Sequence, residues 1–600
     1  MILSTHGKPW SDNMKRFLWL VALFLFTPAA LADPMDDLIG EYEAYVRDTS
    51  PAEAARAAGE APSAWSSVTP ESVEARAARA LALRDAIAAL ETDRTTDQAI
   101  LERLLSADID DARFDAARIP FTGDWGFQAE PVFAAMQTRI STEAEGDAWI
   151  ARLNDVPRYF AENVTNMRRG LATGWMAHAD PLKVTTDQIR EQITDDPSAS
   201  GLYAPFLNLP ASMDPAVAER LKTDGLTSVA NAISAYRKTL AFIEADYAPH
   251  TREGAGIANL PGGKDVYAAA IEHHTAGAGY SPEEIHELGL AEVARIRAEM
   301  EGILEEIHFE GSFLDFLDFL RTDPAFYAKT PDELMDKARA VSAKLDAILP
   351  TYFGKLPEHW YNVEPVPASI APGYTSGRYV EGDPEEDRPG TYLVNTYALD
   401  QRPLYELPAL SAHEAVPGHH LQIMLAMEMK GQPRFRQQYY ATAFGEGWGL
   451  YAEHLAMEAG LNETPYERFG GLSMEMWRAC RLVADTGLHW YGWTREEAEA
   501  CFKENSALAP LNIQNEVTRY MGWPGQATAY KIGELKILDL RHQAEAALGD
   551  RFDIRAFHDA VLSQGAVPLD VLDRQIHDWI EAQQADAESP EAEVATGEAP

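Results

Sequence analysis

The run His413-Glu414-Ala415-Val416-Pro417-Gly418-His419-His420 places three imidazoles and a carboxylate within eight residues. Thirty-three positions after His413 begins Glu446-Gly447-Trp448-Gly449-Leu450-Tyr451-Ala452-Glu453. Imidazole and carboxylate donors without thiolate suit Zn²⁺ best, with Mn²⁺ or Co²⁺ as further fits. In an HExxH helix two histidines four apart share one face and hold zinc, while the intervening glutamate activates water. Here the fourth position after His413 is Pro417, which ligates nothing. Pro417 also removes a backbone donor and Gly418 loosens the next residue, so the helix must kink, bulge or break there. Such a distortion can return His419 to the metal. His420 is the alternative, although seven residues of undistorted helix would carry it about 10.5 Å along the axis. The expectation is one Zn²⁺ per chain held by His413, His419 and Glu446, with Glu414 as general base. The competing reading is a polar pair at a helix exit.

Further residues could serve such a centre. Arg481, Asp485 and His489 fall at i, i+4 and i+8, within about 80° of one helical face. Either His489 or Arg481 then faces substrate with Asp485 orienting it, or the three form a solvated ion pair and its neighbour. A strand over 391–396, containing Tyr392 and Asn395, could offer its edge to an extended peptide. His273 and His274 point to different helix faces and lack a carboxylate motif, and Trp448 and Tyr451 read as packing residues. No GxSxG, Walker loop or dinucleotide fingerprint opening a helix occurs, which leaves serine hydrolase, NTPase and Rossmann readings unsupported.

The elements that must position these residues are mostly helical. Apolar residues recur at 3.6-residue spacing over 70–92, 145–170, 214–245 and 282–308, and Ser281-Pro282-Glu283-Glu284 is a well-formed helix start. Between 361 and 399 the pattern changes to Pro, Gly and β-formers, and long helical segments resume near 408. The fold class expected is mostly α, a large multi-helix body with a small β ribbon beside an active-site cleft. Residues 1–32 read as a signal peptide, with Lys15 and Arg16 before the apolar run from Phe17 and Ala30-Leu31-Ala32 after it. That run is too short to span a bilayer, and no cysteine follows it to carry a lipid. The division expected is 1–32 signal, 33–270 N-terminal helical region, 271–583 catalytic region and 584–600 acidic disordered tail. With 51 Lys and Arg against 94 Asp and Glu the net charge is −43, which repels phosphate backbones and anionic lipids. Nucleic-acid binding is therefore not expected, nor a membrane span after signal cleavage. Cys480 and Cys501, the only cysteines, could pair or stay free.

From about residue 262 onward the sequence resembles a bacterial family catalogued as a domain of unknown function and similar to the gluzincin metallopeptidases. Its marks HExxPGHH, EGWxLYAE, RLVxDTGLH and RYxxWPGQAxxYKIG stand here from His413, Glu446, Arg481 and Arg519. The resemblance implies a metallopeptidase-like fold in the second half and hydrolysis of peptide bonds. Arg519-Tyr520 is similar to the arginine-tyrosine pair of dipeptidyl carboxypeptidase-like gluzincins, which implies that Tyr520 donates to the tetrahedral oxyanion, with Tyr530 as runner-up. The expected function is an exported, periplasmic or secreted zinc peptidase acting on peptides, with Glu414, Tyr520 and His489 catalytic and Arg481, Tyr530, Tyr392 and Asn395 binding substrate. The rival is a non-catalytic peptide-binding protein that keeps the cleft.

Overall fold

The computed structural model describes residues 34–588 apart from 91–93, 124, 369–370, 372–373 and 385–386. The segment expected to direct export, 1–32, and residues 589–600 of the acidic tail lie outside the described residues. Among the described residues there are twenty-two α-helices and one three-stranded sheet, a mostly α fold with a small β ribbon. None of these helices is long and apolar enough to cross a membrane.

Helix α1, Glu143–Thr173, starts at a capping box in which Thr142 and Glu145 satisfy each other's backbone N–H. Its buried stripe, Trp149, Leu153, Val156, Phe160 and Met167, follows the helical period and packs with α2, Pro215–Phe242. These form the core of the N-terminal half, closed by Tyr236, whose hydroxyl donates to the Gln128 carbonyl at 2.7 Å. The Ser281 start is present as a full capping box on α3, Pro282–Glu306. At Gly289 an added Cβ would lie 2.7 Å from Leu482 Cβ, so α3 lies unusually close to the helix carrying Arg481. Helix α4, Pro331–Tyr352, leads into the sheet.

The sheet holds β1, Tyr361–Pro365, β2, Gly377–Val380, and β3, Gly390–Val394, in the order β1-β3-β2. β1 runs parallel to β3 with Tyr361 opposite Gly390, and β2 runs antiparallel with Gly377 opposite Val394. The strand expected to offer a free edge is therefore the central one. Both of its ladders are filled by its neighbours, and the open edges belong to β1 and β2.

The motif helices follow: α5, Leu407–Glu414; α6, His419–Met427; α7, Thr442–Glu458; α8, Pro465–Thr486; α9, Pro510–Gly522; and α10, Ala529–Leu548. A disulfide joins Cys480 on α8 to Cys501. The last helix, α11, Leu569–Glu588, runs into the segment 584–600 expected to be a tail. Helices α7 and α10 cross through glycine. A Cβ on Gly447 would sit 2.4 Å from the Gly533 carbonyl carbon, and one on Gly533 would sit 1.7 Å from the Ala443 oxygen. No side chain fits there, and the backbones meet directly.

Candidate metal centre

The helix carrying His413 stops one residue later. α5 ends at Glu414, Ala415 and Gly418 leave helical geometry, the Val416–Pro417 bond is cis, and α6 begins at His419. Gly418 is needed because the chain doubles back on α5: a Cβ there would lie 2.0 Å from the His413 carbonyl oxygen. The Trp448 indole N–H donates to the Pro417 carbonyl at 2.8 Å, tying the break to α7. Trp448, read from the sequence as packing alone, thus also fixes the turn.

The break brings His413, His419 and Glu446 together, with one ligand atom of each within 4.8 Å of the others. His413 Nε2 and His419 Nε2 each lie 3.5 Å from Glu446 Oε2. The imidazole planes stand at 87°, with centroids 4.7 Å apart. Ligands about 2.0 to 2.1 Å from a tetrahedral zinc lie about 3.3 to 3.4 Å apart, close to the two separations between the histidines and Glu446, and two imidazoles with a carboxylate are a donor set that suits such an ion. All three are largely shielded: His413 is 3% and His419 8% exposed. His420 is held elsewhere, its ring against Tyr361 and its Nδ1 3.0 Å from the Tyr379 hydroxyl. Burial lowers its pKa to about 4.

Supports for the cluster are visible only in three dimensions. His413 Nδ1 bonds Glu453 Oε1 at 2.8 Å, and that oxygen lies 3.2 Å from Arg478 Nη2. A carboxylate behind a ligating imidazole fixes its tautomer and aims its other nitrogen. Glu453 is seven residues after Glu446, two turns along the same face of α7, and that spacing was its sequence signal. Gly449 makes room for the ring: a Cβ there would lie 2.7 Å from His413 Cε1. Burial disfavours charge on His413, but hydrogen bonds with Glu446 and Glu453 outweigh it and raise its pKa to about 9. Burial likewise pushes Glu446 up, yet the two imidazoles hold its carboxyl well below the usual range.

Glu414 Oε2 accepts the Tyr379 N–H at 2.8 Å, linking the last residue of α5 to the edge strand β2. Two phenols lie close enough to Glu446 to feel its charge. Both Tyr440 and Tyr530 have pKa values raised by burial and then by the Glu446 carboxylate. Tyr440 keeps part of its ring at the surface, 41% exposed, while burial of its hydroxyl raises its pKa. Tyr440 had no signal in the sequence motifs. Open volumes of 430 Å³ beside β1 and α4, and 1010 Å³ by Trp65 and Trp125, are lined by other residues.

Several expected site residues are placed differently. Tyr520 donates to Glu516 Oε2 at 2.7 Å and accepts from Arg481 Nε at 2.9 Å and Trp477 Nε1 at 3.2 Å. Its one proton is spent and its ring is fully buried, which leaves no oxyanion donor. His489 lies on a π turn after α8, so the i, i+8 face is lost there. Its Nδ1 accepts the Ile257 N–H at 3.2 Å and its Nε2 reaches the Tyr520 carbonyl at 2.9 Å. With burial lowering its pKa to about 3, it is a neutral structural tie. Asp485 Oδ1 takes the Tyr267 hydroxyl and the Gly525 N–H and orients neither Arg481 nor His489. The Tyr392 hydroxyl lies 3.3 Å from Ser411 Oγ, fastening the sheet to α5, and Asn395 Nδ2 is shared among the carbonyls of Ala371, Tyr374 and Thr375. Both side chains are fully buried and hold backbone in place. Arg481 and Tyr530 do lie together, with the guanidinium carbon 4.3 Å from the ring centroid.

Two solved structures, among others, share this fold. One, described as a candidate lipoprotein from Colwellia psychrerythraea, has 28% identity and a TM-score of 0.84 over 92% of this chain and 100% of that one. Another, described as a candidate lipoprotein of unknown function from Shewanella oneidensis, has 17% identity and a TM-score of 0.67 over 90% of this chain and 97% of that one. No curated protein matches the chain. Residues 51–576 match the family described as bacterial protein of unknown function (DUF885), and with that extent of match the chain belongs to this family.

Proposed function

We propose that the protein is an exported zinc-dependent peptidase. The observation that carries the reading is the meeting of His413 Nε2 and His419 Nε2 at Glu446 Oε2, 3.5 Å each, with Glu414 next to His413 in the chain. A Zn²⁺ held by these three residues would supply Lewis acidity, lowering the pKa of water and polarising a peptide carbonyl. Glu414 takes the proton of the attacking water on a carboxylate oxygen and passes it to the leaving amine. Glu453 holds the His413 ring through Nδ1. Tyr530 takes the oxyanion-donor role expected of Tyr520, since the Glu446 carboxylate is near enough to raise its pKa and Arg481 stacks on its ring at 4.3 Å. The outer edge of β2, beside Glu414, lends main-chain hydrogen bonds to an extended substrate. Export to the periplasm or medium is part of the proposal, supported by the residue pattern of 1–32 and by the description of the structural neighbours as candidate lipoproteins.

The test is zinc content and cleavage of a mixed peptide pool by wild type, Glu414→Gln and His413→Ala. Loss of a general base costs about 10² to 10⁴ in rate, so Glu414→Gln should hold zinc and cleave poorly. His413→Ala should lose both. Undiminished cleavage by Glu414→Gln would overturn the mechanism. Wild-type protein that binds zinc and peptides without cleaving would make it a binding protein.

A further inference from the structure

Beyond Tyr530 lies a cluster of unequal charge. Arg481 Nη2, Arg519 Nη2 and the Tyr520 hydroxyl all converge on one atom, Glu516 Oε2, at 3.0, 3.2 and 2.7 Å. Arg519 Nη1 turns instead to the neutral Gln526 amide oxygen. Two guanidiniums therefore share one carboxylate. Arg481 is 4% exposed, stacked between Trp477 and Tyr530 at 4.5 and 4.3 Å, and its Nη1 is buried without a hydrogen-bond partner. The Asp485 Oδ1 atom accepts from the Tyr267 hydroxyl and the Gly525 N–H rather than from either guanidinium. A buried cation in surplus and a donor without an acceptor favour an incoming anion.

The cluster adjoins the metal centre. Arg478, one turn before Arg481 on α8, contacts Glu453. Tyr530 lies one turn before Gly533, at the crossing that seats α10 against the helix of Glu446. The Glu516 and Arg519 side chains remain 17% and 16% exposed, which leaves an approach from solvent.

We propose that Arg481 and Arg519 form a subsite for a carboxylate of the peptide substrate, the free C-terminus being its usual source. This rests on the peptidase reading for its use, although binding can be measured without turnover. A peptide whose carbonyl sits at the metal centre and whose Tyr530 contact lies on the leaving side would place its terminal carboxylate against the guanidiniums. The protein would then act as an exopeptidase at the C-terminal end.

The experiment uses three versions of one short peptide: free acid, C-terminal amide, and amide with a terminal Asp side chain. Binding to Glu414→Gln protein and cleavage by wild type are measured for each. The free acid should bind and be cleaved on the order of tenfold better than the amide, as expected for a charge-assisted pair. Arg519→Gln should erase that preference more than it changes the amide. Recovery by the Asp amide would support the subsite and make a side chain its source. Equal values for all three, or no binding of any, would overturn it. Acid-selective binding without cleavage would leave the subsite standing and remove the peptidase, while cleavage blind to the terminus would do the reverse. The acid-to-amide ratio on the unaltered arginines keeps the test valid should Arg519→Gln fold poorly.

Discussion

Gly449→Ala is the smallest change that should reach the metal centre. Gly449 lies inside α7, three residues after Glu446, and the added methyl would stand 2.7 Å from His413 Cε1 and 2.9 Å from Nδ1 and Nε2. Ordinary contact begins at 3.4 Å, so the ring must retreat by about 0.7 Å, and metal sites tolerate about 0.2 Å in a bond. The ring has little room to yield, because Nδ1 is fixed to Glu453 at 2.8 Å. Zinc affinity should fall by at least about tenfold. Folding of the metal-free protein should change by no more than about 2 kcal/mol, since replacing a helical glycine by alanine gains about 1 kcal/mol while overpacking costs about 1 to 3 kcal/mol. Gly40→Ala is the matched control, since no atom lies within 4 Å of the position its Cβ would take. Zinc Kd by competition with a chromophoric chelator, with urea unfolding of the metal-free proteins, separates the two effects. An unchanged Kd in Gly449→Ala would refute the argument that this glycine seats the ligand.

Asp485 is held up at about 7 by burial, ahead of the lowering effects of the Tyr267 hydroxyl, the Gly525 N–H and Arg519. Between about pH 4 and 7 the folded protein keeps a proton that the unfolded chain releases. Stability from this group is therefore complete below pH 4 and falls as pH rises, by at most about 4 kcal/mol. Asp485→Asn should gain on wild type between pH 5 and pH 8 in thermal unfolding, and a difference that ignores pH would contradict the assignment. The Cys480–Cys501 disulfide closes a separation of 21 residues, which corresponds to about 3 kcal/mol of stabilisation. The double change Cys480→Ala and Cys501→Ala should lower the urea midpoint, and a midpoint equal to that of the oxidised wild type would count against it.

The sequence revealed the helical body and where it pauses for a ribbon, because capping residues and periodicity are local. It also carried the logic of Pro417, since a residue without an N–H or a ligating atom must displace the second histidine. What it hid depends on neighbours far along the chain. β3 is central because β1, some thirty residues earlier, pairs parallel to it. The face bearing Arg481 and Asp485 gave no direction, because α8 is buried on nearly every side, from Phe469 to Thr486 with Trp477 the partial exception. A helix with no solvated face cannot say which side meets the site. Tyr520 failed for a related reason: the arginine beside it in sequence was legible, whereas Glu516 and Trp477, which take up its hydroxyl, were not.

The cluster is set by packing more than by the motif that announces it. α5 and α6 are two short helices, eight and nine residues long, too short to hold a geometry alone. Their positions come from α7, which supplies Glu446, the Trp448 clamp on Pro417, the Gly449 recess and the Glu453 brace. α7 is placed in turn by its glycine crossing with α10. Next to that crossing Lys531, fully buried, meets Glu475 and Glu534 at 2.6 Å each and Glu292 at 3.1 Å. Breaking such a buried set by removing one partner costs about 3 to 5 kcal/mol, whereas replacing the whole set with apolar groups often costs nothing. Stability alone therefore gives little reason for buried ions at this depth. Their directional bonds hold α3, α8 and α10 in one register, and that register aligns α7 with the broken helix on one side and with Arg478 and Arg481 on the other.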